Sequence, residues 1–334
     1  MRNFAYEVAD RPDDAFEADG TRTMAIAGGT ELLNWFRLGI AGPDRVIDIG
    51  RIAGLDSIEQ SGDSLSIGAL ATLNQIGEHP AVRKHAAVLA DACLKAASAQ
   101  IRNRATIGGN LLQKTRCAYF RAEAPLPWGC NKRVPGSGCA AREGLNERHA
   151  IFGWTEECVA VQPSDPLVAL AALDAEIELH SRDGRRVLPV GDLHLTPVEA
   201  AAAGFDAART ETRLTPGEVI VGYRLPLRDG ARSAYVKVRE RASYEYALVS
   251  AAAVVTIAGG RIAQVAIALG SVAQKPWRLR AVEARLVGQP PARDAVLPIL
   301  EAGVAADARP LARNGYKVAM AARAAARAIV EAAA

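Results

Sequence analysis

Residues 117–158 read CAYFRAEAPLPWGCNKRVPGSGCAAREGLNERHAIFGWTEEC, and the rest of the chain is organised around this stretch. It is rich in Pro, Gly, Asn, Lys and Arg, a composition that disfavours regular helices and strands. It holds Cys117, Cys130, Cys139 and Cys158, four of the five cysteines of the chain. A loop of this length is rare in a compact domain unless it has a function. We therefore expect a bound centre to order it.

Three kinds of centre could use these thiols. Structural zinc usually takes closely paired cysteines, and residues 117–158 contain no such pair. Disulfides need an oxidising compartment, and the start of the chain, MRNFAYEVADRPDDAF, does not resemble an export signal. An iron–sulfur cluster takes four thiolates at spacings that vary between families. The spacing favours a cluster but leaves zinc, disulfides and unrelated free thiols open, whereas Cys93, in the run AVLADACLKAA, is expected to pack in the core.

The composition limits the class of protein. The 334 residues, 50% of them hydrophobic, are enough for two or three packed domains. A net charge of +3, without a basic stripe interleaved with aromatics, argues against a nucleic-acid partner. No apolar run approaches the roughly 18 residues that span a membrane. The five histidines are scattered without metal-ligand spacing, so we expect surface or locally bonded roles for them.

Hydrophobic periodicity and turn residues divide the chain into three segments. Residues up to about Ser57 read as a compact β–α–β–α–β unit. Residues 58–226 read as strands and helices on either side of the cysteine stretch, with a hairpin at Asp183-Gly184. Residues 227–334 read as three strands, two of them joined at Gly259-Gly260, and then helices. The sum predicts an α+β fold with mixed and antiparallel sheets and helices packed on one side.

Two diglycine turns are candidate phosphate sites. At Gly28-Gly29 a strand runs into a helix for which Thr30 is a plausible N-cap. Unpaired backbone N–H groups at such a turn attract phosphate, and glycine lets it approach closely. The dinucleotide fingerprint G-x-G-x-x-G is absent at this turn. Either diglycine alone is more often an ordinary turn, but together with Gly108-Gly109 it could grip a pyrophosphate from both sides.

A family resemblance rests on five motifs: AGGTELL, RNRATIGGNLLQKTRC, CNKRVPGSGC, QPSDP and KVRERASYEYALVS. Together they resemble the flavin subunit of the xanthine dehydrogenase family, which is the medium subunit of bacterial molybdenum hydroxylases. Within that family the chain is most similar to the flavin subunits of periplasmic aldehyde oxidoreductases. That branch carries a [4Fe-4S] cluster in an inserted loop.

The resemblance implies a domain organisation. Residues 1–226 would form an FAD-binding domain of the vanillyl-alcohol-oxidase (PCMH) type, with subdomains 1–57 and 58–226 and the cysteine loop at 117–158. Residues 227–334 would form a C-terminal domain like that of the CO dehydrogenase flavoprotein, with a three-stranded antiparallel sheet and helices.

The resemblance also implies roles for individual residues. The first pyrophosphate loop would comprise Met24, Ala25, Ile26, Ala27, Gly28, Gly29, Thr30, Glu31 and Leu32, and the second Thr106, Gly108, Gly109 and Asn110. Asp165 would lie near the ribityl chain, Ile220 would make an apolar contact to the flavin, and Lys237 would lie near its ring. The cluster ligands would be Cys117, Cys130, Cys139 and Cys158. From the residues alone, Asp165 reads as a helix N-cap and Lys237 as a solvated strand residue.

The function implied is electron transfer, without a catalytic acid, base or nucleophile in this chain. A molybdenum-cofactor subunit would oxidise the substrate, an aldehyde converted to a carboxylic acid. A [2Fe-2S] subunit would pass the electrons to FAD here and on to an external acceptor. The alternatives are the flavin subunit of a 4-hydroxybenzoyl-CoA reductase-like or xanthine dehydrogenase-like enzyme, and a zinc-stabilised scaffold subunit.

Two further expectations concern assembly. The C-terminal helices and the basic segment Asn131, Lys132 and Arg133 would be available for partner contact. The resemblance favours the periplasm, reached as a folded complex on a partner's twin-arginine signal, over the cytoplasm.

Overall fold

The computed structural model describes residues 2–334, which begin with a small sheet of three parallel strands in the order β1-β3-β2. Its elements are β1 (Ala5–Val8), β2 (Thr23–Ile26), α1 (Leu32–Arg37) and β3 (Arg45–Asp48). Parallel strands need a crossover connection, and α1 supplies one between β2 and β3. The other predicted helix of this unit is a 3-10 turn at Pro12–Ala15. Phe36 of α1 packs with Val46 of β3 in a small core of its own.

The second sheet has five antiparallel strands in the order β4-β5-β8-β6-β7. They are β4 (Ile58–Ser61), β5 (Ser64–Gly68), β6 (Glu176–Ser181), β7 (Gly184–Pro189) and β8 (Val219–Pro226). The hairpin predicted at Asp183-Gly184 joins β6 to β7, whereas the short exposed β4 was not predicted. Residues 69–175 leave this sheet after β5 and return to it at β6, and they carry both the second diglycine turn and the cysteine loop.

Eight helices accompany this sheet within the described residues. They are α2 (Leu73–Glu78), α3 (Pro80–His85), α4 (Ala87–Lys95), α5 (Ala99–Arg102), α6 (Ile107–Leu111), α7 (Ala118–Arg121), α8 (Asp165–Ala172) and α9 (Pro197–Ala202). All residues of α8 are buried, as expected for a helix that is apolar all round. Ser164 caps α8 by accepting the Leu167 N–H at 3.2 Å. The N-cap predicted at Asp165 is therefore wrong, since Asp165 is the first residue inside the helix.

The third sheet is antiparallel, in the order β12-β11-β10-β9. Its elements and the helices that follow are β9 (Ala231–Val238), β10 (Val249–Ala258), β11 (Arg261–Gly270), β12 (Trp277–Arg278), α10 (Arg280–Leu286), α11 (Arg293–Asp307) and α12 (Tyr316–Ala333). The three predicted strands are present, with the Gly259-Gly260 hairpin between β10 and β11. A fourth strand, of two residues, pairs with β11 at the edge of the sheet.

Alternating side chains of β10 join two hydrophobic cores. Ala252 and Val254 pack in the core that contains α4 and α8, whereas Ala251, Ala253 and Val255 pack in the core that contains α12. Because successive residues of a strand point to opposite faces, this sheet is covered on both sides. The run VSAAAVV is apolar apart from Ser250 for that reason. This strand thereby joins the C-terminal helices to the part of the chain that contains α4 and α8.

The cysteine loop has little regular structure, as predicted. It contains the four-residue α7 and isolated bridges that pair Cys130 with Cys139 and Thr155 with Cys158. Ile151 and Phe152 anchor it in the C-terminal core. Within residues 2–334, no helix is both long and apolar enough to cross a bilayer.

Candidate functional site

A cleft of about 740 Å³ opens between the first unit, the second sheet and the loop after β9. Both diglycine turns line it, and so do Tyr244, Glu245 and Tyr246 from that loop. Its volume lies in the range of roughly 300–1,000 Å³ that is usual for cofactor and ligand sites. Gly28 and Gly108 are 80 residues apart in sequence, so two distant turns meet at one site.

The first turn needs both of its glycines. A Cβ on Gly28 would lie 1.9 Å from the carbonyl oxygen of Arg104, so this residue lets the two turns pack together. Gly29 has φ +73°, the left-handed region that glycine adopts without strain. The helix that follows begins at Leu32 with Glu31 in the N-cap position, so the N-cap predicted at Thr30 is wrong.

The second turn is hydrogen-bonded to the protein on one side, and its Gly109 has free space around it on the other. Thr106 caps α6 by accepting the N–H of Gly109 at 3.2 Å. The N–H of Gly108 donates to the carbonyl of Ala69 at 2.9 Å, where a Cβ on Gly108 would lie 3.0 Å from that oxygen. Asn110 accepts a hydrogen bond from Ser164 at 2.6 Å. A Cβ on Gly109, in contrast, would meet only Thr106 Oγ1, at 3.1 Å.

Asp165 forms a buried network beside the cleft. Its Oδ2 lies 2.7 Å from Lys237 Nζ, and its Oδ1 accepts the Tyr235 hydroxyl proton at 2.5 Å. Lys237 also donates to the carbonyl of Lys95 at 3.0 Å. Burial raises the pKa of Tyr235 well above its usual value, and the neighbouring Asp165 adds to that shift. Both carboxylate oxygens are thus bonded, which a buried charge requires.

The structure brings nearly all of the predicted flavin contacts to this one cleft. Those that line it are Met24, Ala25, Ile26, Ala27, Gly28, Gly29, Thr30, Glu31, Leu32, Thr106, Gly108, Gly109, Asn110, Asp165 and Ile220. Lys237 is not among the lining residues; it lies behind Asp165 with its side chain 2% exposed. It is therefore not the solvated strand residue that the sequence alone suggested.

Arg116 and Tyr246, which were not among the predicted site residues, also line the cleft. The Arg116 guanidinium lies 4.6 Å from the centre of the Tyr246 ring, a cation–π contact. Glu31 pairs with Arg116 at 2.9 Å and also with Arg121. Burial would raise the pKa of Glu31, but the two arginines outweigh burial and hold it below its usual value. No local pattern joins Glu31 to residues 116 and 121, so this contact could not be read from the sequence.

A second, small cavity is lined by Cys117, Cys130, Cys139 and Cys158 together. All five cysteines are free thiols, and Cys93 packs in the core as predicted. Within the described residues, no group of three or more His, Cys, Asp or Glu side chains is arranged so that it could hold a metal ion. The four thiols therefore share a cavity without forming a preassembled metal site.

The protonation of these thiols follows from their burial. Burial raises the pKa of Cys117 to about 12 and that of Cys158 to about 11. Backbone N–H groups oppose this shift. Those of Phe120 and Tyr119 lower the pKa of Cys117, and that of Ala160 lowers the pKa of Cys158. Without a metal the two thiols are protonated at neutral pH, so a bound metal would have to displace their protons.

The basic segment 131–133 is not available for partners in the way that was predicted. The Lys132 side chain is 4% exposed and donates to Glu211 at 2.7 Å and to the Ala208 carbonyl at 2.6 Å. Asn131 is buried and bonds to Glu157, and Arg133 donates to backbone carbonyls. These long-range partners turn the segment inward.

His149 is a further buried residue of the cysteine loop. Its Nε2 lies 3.2 Å from Cys117 Sγ. Burial lowers the pKa of His149 to about 4. Its carbonyl accepts hydrogen bonds from Lys317 Nζ at 2.8 Å and Asn314 Nδ2 at 3.1 Å. The prediction of a surface or locally bonded role is therefore wrong for His149, because Cys117 lies 32 positions away in the sequence.

Comparisons with known proteins agree with this architecture. Residues 2–228 match the family model described as the FAD binding domain in molybdopterin dehydrogenase, and residues 234–332 match the CO dehydrogenase flavoprotein C-terminal domain. The chain is 41% identical to the FAD-binding subunit PaoB of an Escherichia coli K12 aldehyde oxidoreductase, with 99% of each chain covered. It is 27% identical to the carbon monoxide dehydrogenase medium chain of Hydrogenophaga pseudoflava, over 86% of this chain and 79% of that one.

A solved structure has the same fold. It is the carbon monoxide dehydrogenase from Hydrogenophaga pseudoflava which lacks the Mo-pyranopterin moiety of the molybdenum cofactor. The TM-score is 0.75 at 26% identity, with 99% of this chain and 97% of that chain covered.

Proposed function

Because the chain belongs to the FAD-binding medium subunits of the molybdenum hydroxylase family, we propose that it binds one FAD in the cleft and carries electrons from partner subunits to an external acceptor. The observation that carries the proposal is the meeting of two diglycine turns at a cleft of cofactor size. As a member of this family the chain is an oxidoreductase flavoprotein subunit.

The residues of the cleft would hold the cofactor by three kinds of contact. Backbone N–H groups of the first turn, at Gly29 and Thr30, would receive the pyrophosphate, and Gly109, which has no side chain, would let it come close to the second turn. Ile220, 5% exposed, would give the flavin an apolar surface. Asp165 would accept hydrogen bonds from hydroxyls of the ribityl chain while Lys237 balances its charge from behind.

FAD, when bound, supplies the redox chemistry, because it accepts single electrons and can release one or two. The chain's own part is to bind and orient the cofactor and to tune its surroundings. No residue is assigned as a catalytic acid, base or nucleophile.

For the enzyme as a whole we propose an aldehyde oxidoreductase. The full-length relative at 41% identity is an aldehyde oxidoreductase subunit, which favours this substrate class over the reductase-like and xanthine dehydrogenase-like alternatives. A molybdenum-cofactor subunit would oxidise the aldehyde, and a [2Fe-2S] subunit would deliver the electrons. We also propose a domain boundary near residue 226, where β8 ends and the chain enters the third sheet, and export on a partner's signal.

We further propose that the four cysteines of the loop hold one [4Fe-4S] cluster. The donor set fits in kind and number, since four thiols line one cavity and the buried Lys132 ammonium beside them can offset negative charge. No metal-ion site is preassembled in the part of the chain that the structure describes, and a cluster would displace the protons of the thiols as it binds. A zinc-stabilised scaffold is the competing outcome.

The test of the electron-transfer role uses the assembled complex under anaerobic conditions. Adding an aldehyde such as benzaldehyde should bleach the flavin absorption of the complex. Bleaching should disappear when the molybdenum cofactor is absent from the partner. An assembly that contains flavin, oxidises the aldehyde with an artificial acceptor and leaves the flavin absorption unchanged would contradict the role.

A further inference from the structure

His149 joins the cysteine cavity to the C-terminal domain. Its ring nitrogen Nε2 lies 3.2 Å from the sulfur of Cys117, within the distance for a hydrogen bond to sulfur. The residue is 6% exposed. Either ring nitrogen of an imidazole can carry an N–H and donate it, and Nδ1 of His149 is buried without a hydrogen-bond partner. Here Nε2 faces the sulfur.

Hydrogen bonds to the backbone carbonyl of His149 hold this residue in place. The carbonyl of His149 accepts a hydrogen bond from Lys317 of α12 at 2.8 Å and from Asn314 at 3.1 Å. Lys317 also donates to the carbonyl of Ser271 at 2.6 Å, and Asn314 to that of Ala150 at 3.1 Å. Both donors are fully buried. The C-terminal domain thus places the imidazole against a loop that has little regular structure of its own.

We propose that His149 is a positioning residue that donates a hydrogen bond to the Cys117 sulfur and thereby raises the reduction potential of the cluster. The inference rests on the cluster proposed above. A donor to a ligating sulfur withdraws electron density from it and stabilises the more negative, reduced state. Removing the donor should therefore make the cluster harder to reduce.

The test compares three variants in the assembled complex. His149→Leu removes the donor, and His149→Gln restores an amide N–H at about the position of Nε2. His85→Leu, on α3 in another part of the fold, is the matched control. The readouts are iron and sulfide content and a reductive titration followed by low-temperature electron paramagnetic resonance. The signal followed is the one that Cys130→Ser removes, which separates it from the signals of partner clusters.

The expected result is a shift of the midpoint potential to more negative values in His149→Leu. The midpoint should lie close to wild type in His149→Gln and His85→Leu. Loss of iron in His149→Leu with retention in His149→Gln would also support the donor role. An unchanged midpoint in an iron-replete His149→Leu, or equal iron loss in both His149 variants, would overturn it. If the wild-type complex carries no iron that depends on Cys130, the cluster proposal itself fails and this inference with it.

Discussion

Asp165 and Lys237 form an ion pair inside the protein, with Oδ2 and Nζ 2.7 Å apart and the side chains 5% and 2% exposed. The two residues come from the first turn of α8 and from β9, so the pair joins the FAD-domain half of the chain to the third sheet. Asp165 faces the cleft and Lys237 lies behind it. A carboxylate can therefore line the cofactor site while its charge stays balanced.

Breaking this pair from one side should be costly. Lys237→Met leaves the Asp165 carboxylate buried without its cation, and such a loss costs about 3–5 kcal/mol of stability. Arg327→Met is the control, because the Arg327–Glu331 pair is exposed and such pairs contribute about 0–1 kcal/mol. Thermal unfolding of the complex compares them. The double change Asp165→Asn with Lys237→Met should lower the stability less than Lys237→Met alone, because no unpaired charge is then buried. Equal losses of stability in Lys237→Met and Arg327→Met would refute the contribution of the buried pair.

Gly109→Ala should weaken FAD binding while leaving the fold intact. The added Cβ meets only Thr106 Oγ1 at 3.1 Å, and alanine is favourable in a helix, but it stands between the backbone and an approaching phosphate. Loss of close approach that is worth about 1.4 kcal/mol corresponds to about a tenfold weaker affinity. Titration of FAD into flavin-stripped protein measures this. Gly29→Val is less suitable, because φ +73° would strain the backbone as well.

Gly191→Ala is the matched control for that experiment, since a Cβ there meets no atom within 4 Å and Gly191 does not line the cleft. Its affinity for FAD should equal that of the wild type. Wild-type affinity in Gly109→Ala as well would show that the second turn does not approach the pyrophosphate.

Four of the five cysteines should be needed for iron binding, and Cys93 should not. Cys130→Ser removes a thiol from the shared cavity and should cost the complex about four irons per copy of this chain, the content of one cluster. Cys93→Ala changes a fully buried core residue and should leave the iron content unchanged. Iron and zinc analysis of both variants decides the matter. Iron unchanged in Cys130→Ser, or zinc in place of iron in the wild type, would reject the cluster.

Lys317 should make stability depend on pH. Burial lowers its pKa to about 7, and the nearby Arg148 adds to the shift. The unfolded chain, with the ordinary lysine pKa near 10.4, binds more protons between these values, so stability rises with pH from about 7 upwards. Between pH 7.5 and pH 9 the gain should be about 2 kcal/mol. Thermal unfolding midpoints of wild type and Lys317→Met at the two pH values measure it, and parallel shifts in both would argue against a buried Lys317.

Local patterns predicted much of the fold, because they depend on neighbours in sequence. The strand, diglycine turn and helix at residues 23–37 and the hairpin at Gly259-Gly260 are of this kind. The two-residue β12 carries too short a pattern to be recognised, and it exists through its pairing with β11.

The missed features of the site depend on contacts between distant residues. Lys132 looked like an exposed basic residue, but its side chain is buried against partners that include Glu211, 79 positions away. Asp165 looked like a helix cap, and its ion pair with Lys237, 72 positions away, left no local pattern in the sequence. Spacing patterns cannot indicate such pairs. The family motifs, in contrast, predicted most of the residues that line the cleft.

We expect this chain to hold one FAD, non-covalently, in the cleft between the diglycine turns. The most direct measurement is the amount of flavin that acid precipitation releases from the purified complex, divided by the amount of this chain. We expect about one FAD per chain in the supernatant, by the usual stoichiometry of one cofactor per site. Flavin that stays with the precipitated protein, or a complex that is active and contains no flavin, would contradict it.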